Sequence, residues 1–236
     1  MTKTTSRRAQ YLRGMRAGLP VVFGFVPVGI AYAVMARQAG FTAAETVLMS
    51  LSVFAGASQM MAVGMVAQGA GLAAIILATF LLNLRHVIMS ACVNHRLPRS
   101  GLAARLLAAF GVTDESFAIF TATPAENCTL PFFFGMITVT YSSWVGGSAI
   151  GAAASGLLPP VLSASLGVAL YAMFIGLLLP SLRSNARLAL LAAATAACNA
   201  LLGCVMDSSW ALILSTLAGA AAGVFWVHFP GEGENA

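Results

Sequence analysis

The stretch FAGASQMM, residues 54–61, lies inside an apolar run that is long enough to cross a membrane. Its centre has little bulk and two polar side chains, and Gly56 weakens a helix. Lipid offers no hydrogen-bond partner to a peptide group outside a regular helix. Unwound backbone at membrane depth is therefore found only inside protein or beside a water-filled cavity. Broken helices of this kind form the binding sites of many transporters. Small residues also let a neighbouring helix approach closely, so a plain packing role stays open.

The composition of the whole chain is that of a membrane protein. Of its 236 residues, 59% are hydrophobic and only 8% are charged, with a mean hydropathy of +0.89, whereas an average domain is about 25% charged. The apolar runs are near the roughly 20 residues that a transmembrane helix needs. We therefore predict an all-α polytopic membrane protein with about seven or eight transmembrane helices, some of them discontinuous. The four cysteines have no metal-ligand spacing, and we predict no metal, no cofactor and no nucleic-acid partner.

The order of polar and apolar runs predicts a simple division of the chain. Residues 1–17 form a basic N-terminus, expected to be cytoplasmic, residues 18–229 a single helical transmembrane domain, and residues 230–236 a polar tail. A weak internal similarity suggests repeats over 18–123 and 129–229. The predicted spans are 19–35, 46–67, 72–92, 132–152, 161–179, 188–206 and 211–227.

The third predicted span carries the motif Asn83-Leu84-Arg85-His86. An arginine in the middle of a membrane helix costs about 2.5–3.5 kcal/mol on insertion scales, so it normally faces the protein interior and marks a functional site. Arg85 is near the end of its run, and snorkelling to the interface is the competing interpretation.

Residues 102–123 are harder to assign, because Thr113-Asp114-Glu115-Ser116 interrupts an apolar segment. Threonine and serine are helix-capping types, which indicates that a helix stops and restarts there. A discontinuous span, a re-entrant segment and an interfacial helix all fit. If residues 102–123 cross the membrane, the chain has eight spans and its repeats are parallel. If they do not cross, the chain has seven spans and its repeats are inverted. The loop charges favour eight, an arrangement that places Arg37, Arg96, Arg99 and Arg105 on the outer side.

The intramembrane polar residues include both signs of charge, which suits a zwitterionic solute. A guanidinium or a helix N-terminus can hold a carboxylate, and an aspartate or glutamate can hold an ammonium. The candidate substrate-binding residues are Gly56, Ser58, Gln59, Asn83, Arg85, Asp114 and Glu115. The candidate proton relay consists of His86, Asp114 and Glu115. Gly147/Gly151 and Gly219/Gly223 have the spacing that lets membrane helices pack closely.

Three motifs, FAGASQ at 54–59, NLRH at 83–86 and TDESFA at 113–118, resemble in order and spacing the AzlC family, the large subunits of bacterial branched-chain amino-acid exporters. The resemblance implies a multi-pass protein of the bacterial cell (inner) membrane that exports L-valine, its relatives and analogues such as azaleucine, driven by the proton gradient. It also implies a small hydrophobic membrane partner of the AzlD/YgaH type. The Gly147/Gly151 or Gly219/Gly223 face is a candidate docking surface for that partner.

Other functions compete with export of branched-chain amino acids. The chain could be a carrier or channel for another small solute, or a membrane assembly subunit that transports nothing. An enzyme is disfavoured, because the sequence has no nucleophile–base motif and no sizeable soluble domain.

Overall fold

The computed structural model describes residues 6–156 and 185–226, together with Ile175, Leu179, Leu182 and Arg183, and these residues are helical with short connections. The predicted span 161–179 falls largely outside this part. The helices are α1 (Arg7–Gln38), α2 (Ala43–Val53), α3 (Gly56–Ala67), α4 (Leu72–Arg96), α5 (Leu102–Phe110), α6 (Asp114–Ala122), α7 (Leu130–Ala154), α8 (Ala186–Gly203) and α9 (Ser208–Trp226). A single 3₁₀ turn, Ala125–Asn127, precedes α7. The described part contains no strand, and the prediction of an all-α membrane protein is confirmed.

Three helices in the described part, α1, α4 and α8, are long and apolar enough to cross a membrane. Helix α1 is longer than predicted, because the side chain of Ser6 caps it by accepting from Ala9 N and the basic segment continues the same helix. Helix α4 extends to Arg96 and not to residue 92. Two of the described helix pairs, α2/α3 and α5/α6, consist of short pieces separated by a break.

The described residues divide into two compact units. One unit contains α1, α2, α3, the part of α4 from Leu82 onward, α5, α6 and α7. The other contains the part of α4 up to Leu81 together with α8 and α9. The division into a single transmembrane domain with two repeats and a polar tail stays a prediction.

Helices α1 and α7 form the tightest contact in the first unit. A methyl group placed on Gly14 would overlap the Phe132 carbonyl, and one on Gly147 would lie 2.7 Å from the Val26 carbonyl oxygen. Further along, Arg37 Nε donates to Ser155 Oγ at 3.4 Å. Because the partners advance together along both chains, α1 and α7 run parallel. Glycine lets their backbones touch, as in other membrane helix pairs.

The close packing predicted for the two glycine pairs is present, but it is internal. Gly147 and Gly151 lie against the Val26 and Ile30 backbone of α1, and a methyl group on Gly219 would overlap the Thr195 side chain of α8. Docking of a partner on the Gly147/Gly151 face is therefore a wrong prediction, because α1 fills that face. Gly219 is likewise covered by α8.

Candidate functional site

The first break lies where the sequence places it. Helix α2 ends at Val53, Phe54 has φ 42° and ψ 46°, and α3 begins at Gly56. Phe54 is the one non-glycine residue with positive φ in the described part, a left-handed conformation that is rare for a bulky side chain. No side chain caps α3 at Ala55, although Ser58 Oγ donates to the Ala55 carbonyl at 2.9 Å.

Buried neutral side chains bind the two sides of this break together, and we call Ser50, Gln59, Trp144 and Ser148 the amide network. Gln59 Nε2 donates to Ser50 Oγ at 3.1 Å, and Trp144 Nε1 donates to Gln59 Oε1 at 3.1 Å. Ser50 Oγ lies 2.7 Å from Ser148 Oγ on α7. Gln59 and Ser148 have no exposed surface, and both ends of the Gln59 amide have protein partners.

The bond between Ser50 and Gln59 also shows that the chain turns sharply at Phe54. Nine residues of straight helix span about 13.5 Å, which is beyond the reach of a glutamine and a serine side chain. Helix α3 therefore does not continue the line of α2. Gly56 lets the Trp144 ring pack against the start of α3, because a Cβ there would lie 2.6 Å from that ring.

The second break, between α5 and α6, is capped and charged. Thr113 Oγ1 accepts from Ser116 N at 3.2 Å and Ser116 Oγ accepts from Thr113 N at 2.8 Å, which forms a reciprocal capping box. The predicted capping role of these two residues is confirmed. Asp114 and Glu115 occupy the first turn of α6, where the helix dipole stabilises negative charge.

The predicted charged residues meet at this break, and we call Arg85, His86, Asp114 and Glu115 the charged cluster. Arg85 Nη2 and Asp114 Oδ2 are 3.0 Å apart, and their side chains are 36% and 31% exposed. Arg85 Nε is buried without a hydrogen-bond partner in the described structure. His86 Nδ1 lies 3.0 Å from the Val112 carbonyl oxygen, at the end of the preceding arm.

Arg96, which the sequence analysis placed on the outer side, caps the other end of α6. Its Nη1 donates to the carbonyls of Phe120, at 3.1 Å, and Thr121, and its Nη2 donates to that of Thr123 at 3.2 Å. A guanidinium at the C-terminus of a helix satisfies orphan carbonyls and complements the dipole. Arg96 is eleven residues beyond Arg85, close to three helical turns, and that spacing is the signal that could have revealed it.

These contacts fix the directions of α5 and α6. Near the start of α5, Arg105 Nε donates to Asn94 Oδ1 at 3.4 Å, and Val112, just beyond its end, lies beside His86. Helix α5 therefore runs back along α4. Helix α6 begins at Arg85 and ends at Arg96, so it runs in the same direction as α4.

Helices α5 and α6 are therefore a re-entrant hairpin that returns to the Arg96 end of α4. Each arm has nine residues and is about 13.5 Å long, which is too short for a hydrocarbon core of about 30 Å. Residues 102–123 therefore do not cross the membrane, and the crossing that the loop charges favoured is a wrong prediction.

The hairpin also corrects the side assigned to Arg96. Arg13 Nη1, near the start of α1, donates to Asn127 Oδ1 at 3.0 Å, in the turn that follows α6. Arg96, which caps α6, therefore lies at the same end of the unit as the basic start of α1. The loop after α4, with Arg99 and Arg105, belongs to that end and not to the opposite one.

Aromatic rings join the two breaks, and we call Phe54, Phe110 and Tyr141 the tip cluster. Ring centroids are 6.1 Å apart between Phe54 and Phe110, 5.1 Å between Phe54 and Tyr141, and 5.8 Å between Phe110 and Tyr141. Tyr141 Oη donates to the Leu51 carbonyl at 2.8 Å. The sequence analysis did not identify Phe110 or Tyr141, because nothing in the local pattern links positions so far apart.

The candidate residues thus fall into two groups. The charged cluster unites Arg85, His86, Asp114 and Glu115, whereas Gly56, Ser58 and Gln59 belong to the first break. No hydrogen bond or ion pair joins the two groups among the residues that the structure describes. Asn83 is half-buried and shares α4 with Arg85.

An apolar helical chain with an internal ion pair at the tip of a re-entrant hairpin defines a polytopic α-helical membrane protein with a half-buried charged site. The chain belongs to the AzlC family, whose model, described as AzlC protein, matches residues 20–158. The matched region contains both breaks and the charged cluster.

Curated relatives support the same assignment. The chain is 33% identical to the inner membrane protein YgaZ of Escherichia coli over 95% of each chain. It is 37% identical to an uncharacterized membrane protein of Archaeoglobus fulgidus, over 76% of this chain and 80% of the relative. It is 28% identical to the branched-chain amino acid transport protein AzlC of Bacillus subtilis, over 62% of this chain and 59% of the relative. No match to a solved structure was found.

Proposed function

We propose that this protein is a permease that exports branched-chain amino acids, L-valine and analogues such as azaleucine, across a bacterial cell (inner) membrane. The observation that carries the proposal is the Arg85–Asp114 ion pair at the tip of the hairpin. The name of the Bacillus subtilis relative supports the solute class.

The ion pair has the two charges that an amino acid needs. Arg85 is the group for the substrate carboxylate, because a guanidinium binds a carboxylate through two parallel hydrogen bonds. Asp114 is the group for the ammonium. About a third of each side chain is exposed, so a zwitterion can reach both groups and take the place of the internal pair. The unpartnered Nε of Arg85 is a further donor for the carboxylate.

The substrate side chain would contact the tip cluster. Phe110 lies four residues before Asp114, on the other arm of the hairpin. An aromatic surface at that position would favour an aliphatic side chain over a polar one, because apolar burial stabilises by about 25 cal/mol per Å².

We further propose that transport is coupled to protons and needs a small hydrophobic subunit of the AzlD type. Asp114, Glu115 and His86 are the candidates for proton transfer. When the substrate ammonium leaves Asp114, a proton can take its place on the carboxylate until Arg85 pairs with Asp114 again.

We propose that the N-terminus is cytoplasmic. The end of the first unit that holds the start of α1 also holds Arg96, Arg99 and Arg105. An excess of basic residues marks the cytoplasmic side of a membrane protein.

Valine efflux from cells preloaded with a valine-containing dipeptide tests the proposal. The chain is expressed alone and with an AzlD-type subunit, and the proton gradient is collapsed as a control. We expect faster efflux that needs both the partner and the gradient. Arg85→Ala should abolish it, while Arg8→Ala, a matched loss of one exposed charge, should not change it.

Three results would contradict the proposal. If valine, leucine, isoleucine and methionine all leave at the background rate, with both proteins present in the membrane, the solute class is wrong. If Arg85→Ala transports normally, the charged cluster is not the substrate site. Flux that only follows the valine gradient would indicate a channel.

A further inference from the structure

A polar cavity lies at the turn between α4 and α5, away from the charged cluster. Its volume is about 820 Å³. The polar residues that line it are Asn94, His95, Arg99, Ser100 and Arg105, and none of its lining residues is acidic. The basic charge is therefore concentrated in one cavity without a neutralising carboxylate.

Several hydrogen-bond donors in this cavity have no protein partner in the described structure. Arg99 makes no hydrogen bond or ion pair there, and Arg105 uses only its Nε, toward Asn94. The Ser100 Oγ is buried without any partner, which is unfavourable for a hydroxyl group. These donors surround the start of α5, where Gly101 provides no side-chain cap.

Such a set of donors fits a phosphate group. Two guanidinium groups, a hydroxyl and uncapped helix N–H groups match the acceptor oxygens of a phosphate, and the helix dipole adds positive potential. Apolar surface continues from the cavity along α5, where Leu102 and Leu106 are 72% and 61% exposed. A free anion has no use for that surface, whereas the acyl chains of a lipid would cover it.

We propose that this cavity binds the phosphate of an anionic phospholipid headgroup, with the acyl chains along α5. Basic cavities at the ends of membrane helices hold such headgroups in general. The bound lipid would hold the base of the re-entrant hairpin against α4. This proposal does not depend on the transported solute and survives if the export proposal fails.

Native mass spectrometry of the full chain in detergent tests the site, with phosphatidylglycerol and phosphatidylcholine as probes. We expect phosphatidylglycerol to be retained at least tenfold more strongly. Arg99→Gln/Arg105→Gln should remove that preference, while Arg7→Gln/Arg8→Gln, with the same loss of charge on the exposed start of α1, should keep it.

If the double variant does not fold, the single variant Arg99→Gln still tests the site. The Arg99 side chain makes no hydrogen bond or ion pair within the described protein, so its loss should not affect folding. A separate titration with inorganic phosphate, followed by thermal unfolding, distinguishes the sources. One contradicting result is that phosphate stabilises the protein through Arg99 while the two lipids are retained equally. That result would overturn the assignment to a lipid and leave a site for a small anion. If phosphate does not stabilise the protein, either of two results would overturn the site altogether. One is equal retention of both lipids, and the other is retention that is unchanged in Arg99→Gln.

Discussion

The helices are interrupted at Phe54–Ala55 and at Gly111–Thr113, and the two interruptions differ in chemistry. The first has no charged group, no side-chain cap and a strained phenylalanine, and neutral buried side chains hold it closed. The second has a reciprocal cap, two acidic residues and an arginine partner with a third of its side chain exposed.

The first break therefore has the features of a structural element, and the second has those of a solute-binding site. The amide network uses both ends of the Gln59 amide inside the protein, so its bonds would have to break before a solute could use them. The Arg85–Asp114 pair can exchange its partner for a zwitterion without leaving an unpaired charge. We therefore expect mutations at the first break to alter stability and mutations at the second to alter transport.

Asp114→Asn at the second break should affect transport more than any substitution at the first break. The change removes the ammonium partner and leaves Arg85 without its anion. Efflux should fall about 100-fold, equivalent to about 2.7 kcal/mol, while the amount of protein in the membrane stays the same. Efflux assays normalised by immunoblot measure this, and normal efflux would exclude Asp114 from the site.

Gln59→Leu should instead reduce stability and leave transport nearly unchanged. It deprives Ser50 and Trp144 of a buried partner, and we expect the free energy of unfolding to fall by about 2–4 kcal/mol. Transport per folded molecule should stay within about twofold. Thermal unfolding in detergent together with efflux separates the two effects. Unchanged stability with lost transport would instead make Gln59 a substrate ligand.

Arg96→Gln should loosen the far end of α6 without touching the charged cluster. Loss of the guanidinium cap should cost about 1.4 kcal/mol, so hydrogen exchange at residues 119–122 should accelerate about tenfold, and Arg96→Lys should restore part of the protection. Exchange followed by mass spectrometry measures it. Equal protection in all three proteins would mean that the cap contributes nothing in the membrane.

The smallest expected effect is that of Ser58→Ala. Ser58 is buried and donates to the Ala55 carbonyl of its own helix, so its loss should cost less than about 1 kcal/mol. Transport should stay within about twofold in the same efflux assay. A strong loss of transport with normal unfolding would restore Ser58 as a direct substrate ligand.

Local chemistry made both breaks predictable. Gly56 weakens a continuous helix, and the capping pair Thr113 and Ser116 favours the start of a new one. The return of α5–α6, the Arg96 cap and the meeting of Phe54 with Phe110 depend on contacts between distant segments. The extension of α4 was missed for a related reason, because His95 and Arg96 read as a loop until the carbonyls of α6 bind the Arg96 guanidinium.

The glycine contact between α1 and α7 imposes an order on biosynthesis. Gly14 and Phe132 are 118 positions apart, so α1 enters the membrane long before its partner exists. At about 5–20 residues per second, roughly 6–24 s pass between the synthesis of the two residues. During that interval the glycine face of α1 has no α7 to pack against, so lipid or another protein must cover it.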